Sequence, residues 1–100
     1  MPKGKQEIID DIKAHIDKSG SPYSSWYVGI SKDACDRLFN DHKVSEKNAW
    51  WTYREASSTQ IAREIEDYFI NTLGTDGEPG GGAEDADTVY AYKKESYTEP

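Results

Sequence analysis

One carboxylate in this sequence is expected where carboxylates are rarely found. With the residues after Ser57-Ser58-Thr59 set at about 100° steps around a helix, Glu66 falls inside the apolar arc, flanked by Ala62, Ile70 and Leu73, whereas Glu64 and Asp67 fall outside it. A carboxylate among apolar groups costs free energy unless it is paired or bound to a metal ion, so Glu66 is either half of a salt bridge or a functional group. Arg37 comes out on the polar side of its own helix, opposite Cys35 and Leu38, and is a solvated cation unless a cleft opens beside it. Tyr27 alternates with Trp26 and Val28, a setting for a core tyrosine whose hydroxyl finds a hydrogen-bond partner. His42 falls at a helix end, where an imidazolium would suit the helix dipole or meet a phosphate. Trp50, Trp51 and Tyr53 could stack on bases, with core packing the expected use in a chain with few aliphatic residues. Cys35 reads as a small buried hydrophobe with no base near it in sequence to make it a nucleophile. One cysteine and two distant histidines, His15 and His42, offer no zinc-ligand spacing.

The elements that must position these groups can be read from periodicity. Ile8, Ile9, Ile12 and Ile16 recur at three- and four-residue steps and predict an amphipathic helix over Gln6–Lys18, ended by Ser19-Gly20-Ser21-Pro22. Trp26-Tyr27-Val28-Gly29-Ile30 has the composition of a buried strand. Ser31 is a candidate cap for a second helix from Lys32 to about Asp41, with Ala34, Cys35, Leu38 and Phe39 inward. After a polar loop, Ala49–Tyr53 reads as another strand. The cap cluster at Ser57–Thr59 opens a third helix whose apolar side holds Ile61, Ala62, Ile65, Tyr68, Phe69 and Leu73 before Gly74 stops it. Thr75–Asp87 is rich in Gly, Pro and acid and reads as a loop. Val89-Tyr90-Ala91-Tyr92 alternates as a last strand, followed by a frayed tail over 95–100. The expected architecture is a single α+β domain over residues 1–94, with a small three-stranded, mainly antiparallel sheet flanked by three helices.

Tyr27-Val28-Gly29, Arg37 ten residues later, then His42, and Glu66 followed by Phe69-Ile70 resemble the second half of the GIY-YIG nuclease signature, over about residues 26–70. The resemblance implies a nucleic-acid phosphodiesterase. In it Tyr27 would help activate or position the attacking water, Arg37 would balance phosphate charge, and Glu66 would hold one Mg²⁺ or Mn²⁺. The family's first strand has no counterpart, because Gly20-Ser21-Pro22-Tyr23 lies only four residues before Tyr27. The C-terminal strand could take its place beside the Tyr27 strand, and Tyr90 or Tyr92, which share a face, could then stand in for the family's first tyrosine. The family's downstream asparagine is replaced by the Gly-rich acidic loop.

Composition bounds the rest. No apolar run approaches the roughly 20 residues a membrane span needs, and MPKGKQEIIDDIK lacks the apolar centre of a signal peptide. With a single cysteine, these features predict a cytoplasmic protein. The net charge of −7 counts against nucleic acid as a partner, but residues 1–60 hold nine Lys/Arg and nine Asp/Glu, and the whole excess of acid lies in residues 61–100. DNA or RNA is therefore a candidate partner for the N-terminal part. The alternative is a catalytically inactive domain of the same fold that binds nucleic acid or protein. A weaker one is an acidic decoy whose C-terminal charge imitates DNA.

Overall fold

A computed structural model describes residues 4–45, 49–77, 86–96 and 98. Helix α1 spans Lys5–Ser19, and its four buried isoleucines form one stripe. Gly20, in the left-handed region at φ 74°, closes it with an N–H to the Asp17 carbonyl, a conformation glycine adopts without the Cβ penalty. A single tight turn at Tyr23–Ser25 leads into strand β1, Trp26–Ser31.

Helix α2 departs from the periodicity reading. It runs only over Ala34–Asp36 and widens into a π-type turn over Arg37–Asp41. Its cap is Asp33, whose carboxylate accepts the Asp36 N–H at 3.1 Å. Ser31 acts one step earlier, its Oγ accepting the Asp33 N–H at 3.0 Å. Because the helix starts late and widens, a uniform wheel misplaces Cys35, which is exposed, while Ala34 and Leu38 are buried as expected. Strand β2 is Trp51–Glu55. Helix α3, Thr59–Asp67, is capped by Ser58, whose side chain accepts the Ile61 N–H at 3.2 Å, and continues as a wider turn through Leu73 to Gly74 at φ 86°. Strand β3 is Thr88–Lys93. Most of the loop read over Thr75–Asp87, and tail residues 97, 99 and 100, lie outside the described residues.

The sheet has the order β1-β3-β2 and is antiparallel throughout, so the C-terminal strand is its centre. Tyr27 faces Tyr92 and Gly29 faces Tyr90 across one ladder; Trp51 faces Tyr92 and Tyr53 faces Tyr90 across the other. The outer edge of β1 is met by Asp76 in a parallel bridge, with the Val28 N–H donating to the Asp76 carbonyl at 3.0 Å and the Asp76 N–H to the Trp26 carbonyl at 2.8 Å. Alternation along the strands divides the interior in two. Trp26, Val28, Ile30, Val89 and Ala91 pack with the isoleucines of α1 and with Ala62, Ile65 and Phe69 of α3. Tyr27, Tyr90 and Tyr92 point to the other side, with Ala34, Leu38 and Val44.

Candidate functional site

The second, smaller core is built from aromatic rings that carry polar atoms. Tyr27, Tyr90 and Tyr92 project from adjacent strands on one sheet face, and the Tyr27 ring lies 5.3 Å from Tyr92 and 6.4 Å from Tyr90 in nearly parallel planes. His42 enters from the end of α2. There Lys43 takes the left-handed conformation at φ 60° and the Val44 N–H reaches back to the Leu38 carbonyl at 2.9 Å, which turns the chain toward the sheet. The imidazole sits 4.7 Å from the Tyr27 ring. Its Nε2 is 2.8 Å from the Tyr90 hydroxyl and its Nδ1 is 3.2 Å from the Tyr92 hydroxyl. His42 thus stands at the C-cap of the turn, as expected of a helix-end residue, with its ring enclosed by tyrosines.

Gly29 makes this arrangement possible. A Cβ there would lie 2.5 Å from the Tyr90 hydroxyl oxygen and 2.6 Å from Cζ, so the Tyr90 ring crosses β1 where the strand has no side chain. The crossing brings the hydroxyl into the field of the Arg37 guanidinium. Arg37 is held above its ordinary range first by its interaction with the Tyr90 hydroxyl, with smaller help from Asp41, which accepts from Nη1 at 3.3 Å. The Arg37 side chain is 42% exposed, yet its Nε is buried and has no hydrogen-bond partner among the described residues. It therefore spans the boundary between the cluster and solvent.

Burial pushes the Tyr90 hydroxyl above its usual range, and the Arg37 guanidinium opposes that shift. Glu66 acts on Tyr90 in the same direction as burial, which makes it a charged neighbour of the cluster although it stands on α3. Glu66 is 2% exposed, in agreement with its place on the helical wheel. The Tyr92 hydroxyl is raised further, by burial first and then by Tyr27, Tyr90 and Asp76. Tyr27, Arg37, His42, Glu66, Tyr90 and Tyr92 thus belong to one neighbourhood.

The other candidates fall outside it. Trp50, just before β2, and Tyr53, on it, are 39% and 40% exposed, against the core packing expected of them. Trp51 is half-buried against Phe39 and parallel to Tyr53. Cys35 is exposed. His15 is wedged between Trp26 and Trp50. Sequence reading overlooked Gly29 as a structural device, although an isolated glycine inside a strand is itself a signal of close approach.

No family model matches the chain, and neither does a curated protein or a solved structure. Among the described residues no helix is long and apolar enough to cross a membrane.

Proposed function

We propose that the chain is a divalent-metal-dependent phosphodiesterase acting on DNA or RNA, similar in its catalytic groups to GIY-YIG endonucleases. The observation that carries this reading is the Tyr90 hydroxyl, which meets His42 Nε2 at 2.8 Å and has the Arg37 guanidinium and the buried Glu66 carboxylate as charged neighbours. Phosphodiester hydrolysis needs a group to take a proton from water, a cation to balance the phosphate, and stabilisation of the leaving oxygen.

The donor set suits a hard ion. Glu66 offers carboxylate oxygens, and no cluster of three His, Cys, Asp or Glu occurs among the described residues. Such a site matches Mg²⁺ or Mn²⁺ held by one carboxylate, with water and substrate phosphate as its other ligands. When bound, the ion would supply charge neutralisation at the phosphate and at the leaving oxygen. The solvent-facing part of the Arg37 guanidinium would hold a non-bridging phosphate oxygen. The hydroxyls of Tyr27 and Tyr90 would orient the attacking water, with His42 sharing the proton held at Tyr90.

A second reading has its own support. The acid excess in residues 61–100 and the burial of Tyr90 and Tyr92 to 1% and 0% exposure favour a non-catalytic domain that binds nucleic acid or protein. Incubation with plasmid, branched DNA and structured RNA in Mg²⁺ or Mn²⁺ separates the two. Cutting by the unaltered protein and none by Glu66→Ala is expected for the nuclease; a folded protein that cuts none of these substrates is the binding domain.

A further inference from the structure

The tyrosine face of the sheet continues past the buried cluster. Trp51 stands opposite Tyr92 and Tyr53 opposite Tyr90, so both rings of β2 lie on the face that carries the candidate site, one strand away from it. The Lys93 N–H donates to the Trp50 carbonyl at 2.9 Å and the Ala56 N–H to the Asp87 carbonyl at 2.7 Å. Two-residue alternation from these bonded pairs makes Trp51 with Tyr92, and Tyr53 with Tyr90, the non-bonded pairs of the ladder, which bring facing side chains closest. Burial changes sharply across that step: Tyr90 and Tyr92 are enclosed, Trp51 is half-buried and Tyr53 is 40% exposed.

Two observations say what kind of group fits there. The Trp51 and Tyr53 ring planes are within 5° of parallel, with centroids 6.2 Å apart, and Trp51 meets Phe39 edge-on at 5.0 Å. Phe39 belongs to the same turn as the partly exposed Arg37, so a cation stands on the turn that supports the rings. The backbone of β2, by contrast, is closed to an added strand at its centre. Alternation directs the Tyr53 carbonyl to the outer edge, where it accepts from Arg54 Nη1 at 2.7 Å, and Arg54 Nε is tied to Asp11 of α1 at 3.2 Å. What β2 offers is therefore its rings. A flat aromatic group that carries an anion matches rings and guanidinium together, and a nucleotide is such a group. The local charge balance agrees, because these residues belong to the half of the chain, 1–60, in which nine Lys/Arg offset nine Asp/Glu.

We infer that Trp51 and Tyr53 form a stacking platform for an unpaired base, so that the nucleic acid this protein takes is single-stranded where it crosses β2. A base inside a duplex has both faces covered by its neighbours, whereas an unpaired base has a face free for a ring. The platform thus selects a strand, loop or frayed end over continuous duplex. This deepens the nuclease reading by naming its substrate, and rests on that reading for the choice of nucleic acid over another flat partner.

The test is fluorescence anisotropy of the full chain with short fluorescein-labelled single strands of DNA and of RNA and with a blunt duplex of the same sequence, in EDTA so that cleavage does not enter. At least one strand is expected to bind about tenfold or more tightly than the duplex. Tyr53→Ala should weaken strand binding by roughly tenfold, Tyr53→Leu, which keeps bulk without the ring, should behave like it, and Tyr53→Phe should stay within about twofold of the unaltered protein. Equal binding of strand and duplex, or a folded Tyr53→Leu that binds as the unaltered protein does, overturns the inference. So does preference for a proline-rich peptide over the strand, or self-association of the chain that Tyr53→Ala abolishes, since either gives the rings to another partner. Should the Tyr53 variants fail to fold, quenching of tryptophan fluorescence by unlabelled strand and not by duplex supports the platform, and quenching by neither or by both overturns it. Strand binding through Tyr53 without cutting in Mn²⁺ would leave the platform standing and sink the nuclease reading; cutting of duplex that ignores Tyr53 would do the reverse.

Discussion

His42 Nε2 and the Tyr90 hydroxyl meet at 2.8 Å across 48 positions of sequence, and the contact depends on Gly29, a third residue on another strand. Antiparallel register places Gly29 opposite Tyr90, the missing side chain lets the ring cross β1, and the end of α2 delivers the imidazole to the far end of that ring.

Gly29→Ala tests this dependence. The added methyl would lie within 2.6 Å of two atoms of a ring that is only 1% exposed, so neither can yield cheaply. Equilibrium urea unfolding should show a loss of about 1–3 kcal/mol, the usual cost of overpacking a core. The same substitution in a Tyr90→Leu background should cost measurably less, because the obstructing ring is gone; an equal cost in both backgrounds would contradict the crossing.

Ser58 controls the start of the helix that carries Glu66. Its hydroxyl accepts the Ile61 N–H at 3.2 Å, and Ser58→Ala should lower stability by about 1 kcal/mol, within the usual 0.5–2 kcal/mol for losing an N-cap. Ser58→Asp, which restores an acceptor, should recover most of the loss in the same denaturation experiment.

His15 gives stability a pH dependence. Burial lowers its pKa first, Arg54 and Lys18 add to the shift, and a hydrogen bond with the Trp51 backbone partly opposes it. Its Nε2 is buried with no hydrogen-bond partner among the described residues. The unfolded chain, with His15 near about 6.5, binds a proton at a pH where the folded protein does not. The His15 contribution is therefore complete above that value and is lost as pH falls from it through the lower folded value. Thermal unfolding should show this slope in the unaltered protein and a flatter one in His15→Gln; a contribution that grows on acidification would have the wrong sign.

Much of this fold was legible because its signals are local. The isoleucine spacing of α1, the cap cluster before α3 and the alternation in Val89–Tyr92 each point to an element that the structure contains. Glu66 was legible too, since a single acidic residue inside an apolar arc needs no tertiary information to stand out. Failures came where geometry departs from a uniform helix or depends on sheet position. Cys35 was misplaced because α2 starts at Ala34 and widens at Arg37, and Trp50 and Tyr53 because nothing local in β2 marks which of its aromatic rings another element covers. The placing of β3 beside β1 came from a strand missing in a resemblance, and periodicity alone could not have supplied it. The bonds joining His42 to two tyrosines were not legible at all, since pairing across 48 and 50 positions follows only from register.

The central claim is that Arg37, Glu66 and Tyr90 act as one catalytic centre. The most direct measurement is the single-turnover cleavage rate on the best substrate among plasmid, branched DNA and structured RNA, in saturating Mn²⁺, for the unaltered protein, Arg37→Ala, Glu66→Ala and Tyr90→Phe, each first shown to be folded. Metal-dependent cutting is expected from the unaltered protein, with losses on the order of 10² or more in each variant. A folded unaltered protein that cuts nothing, or variants that cut at its rate, would contradict the claim.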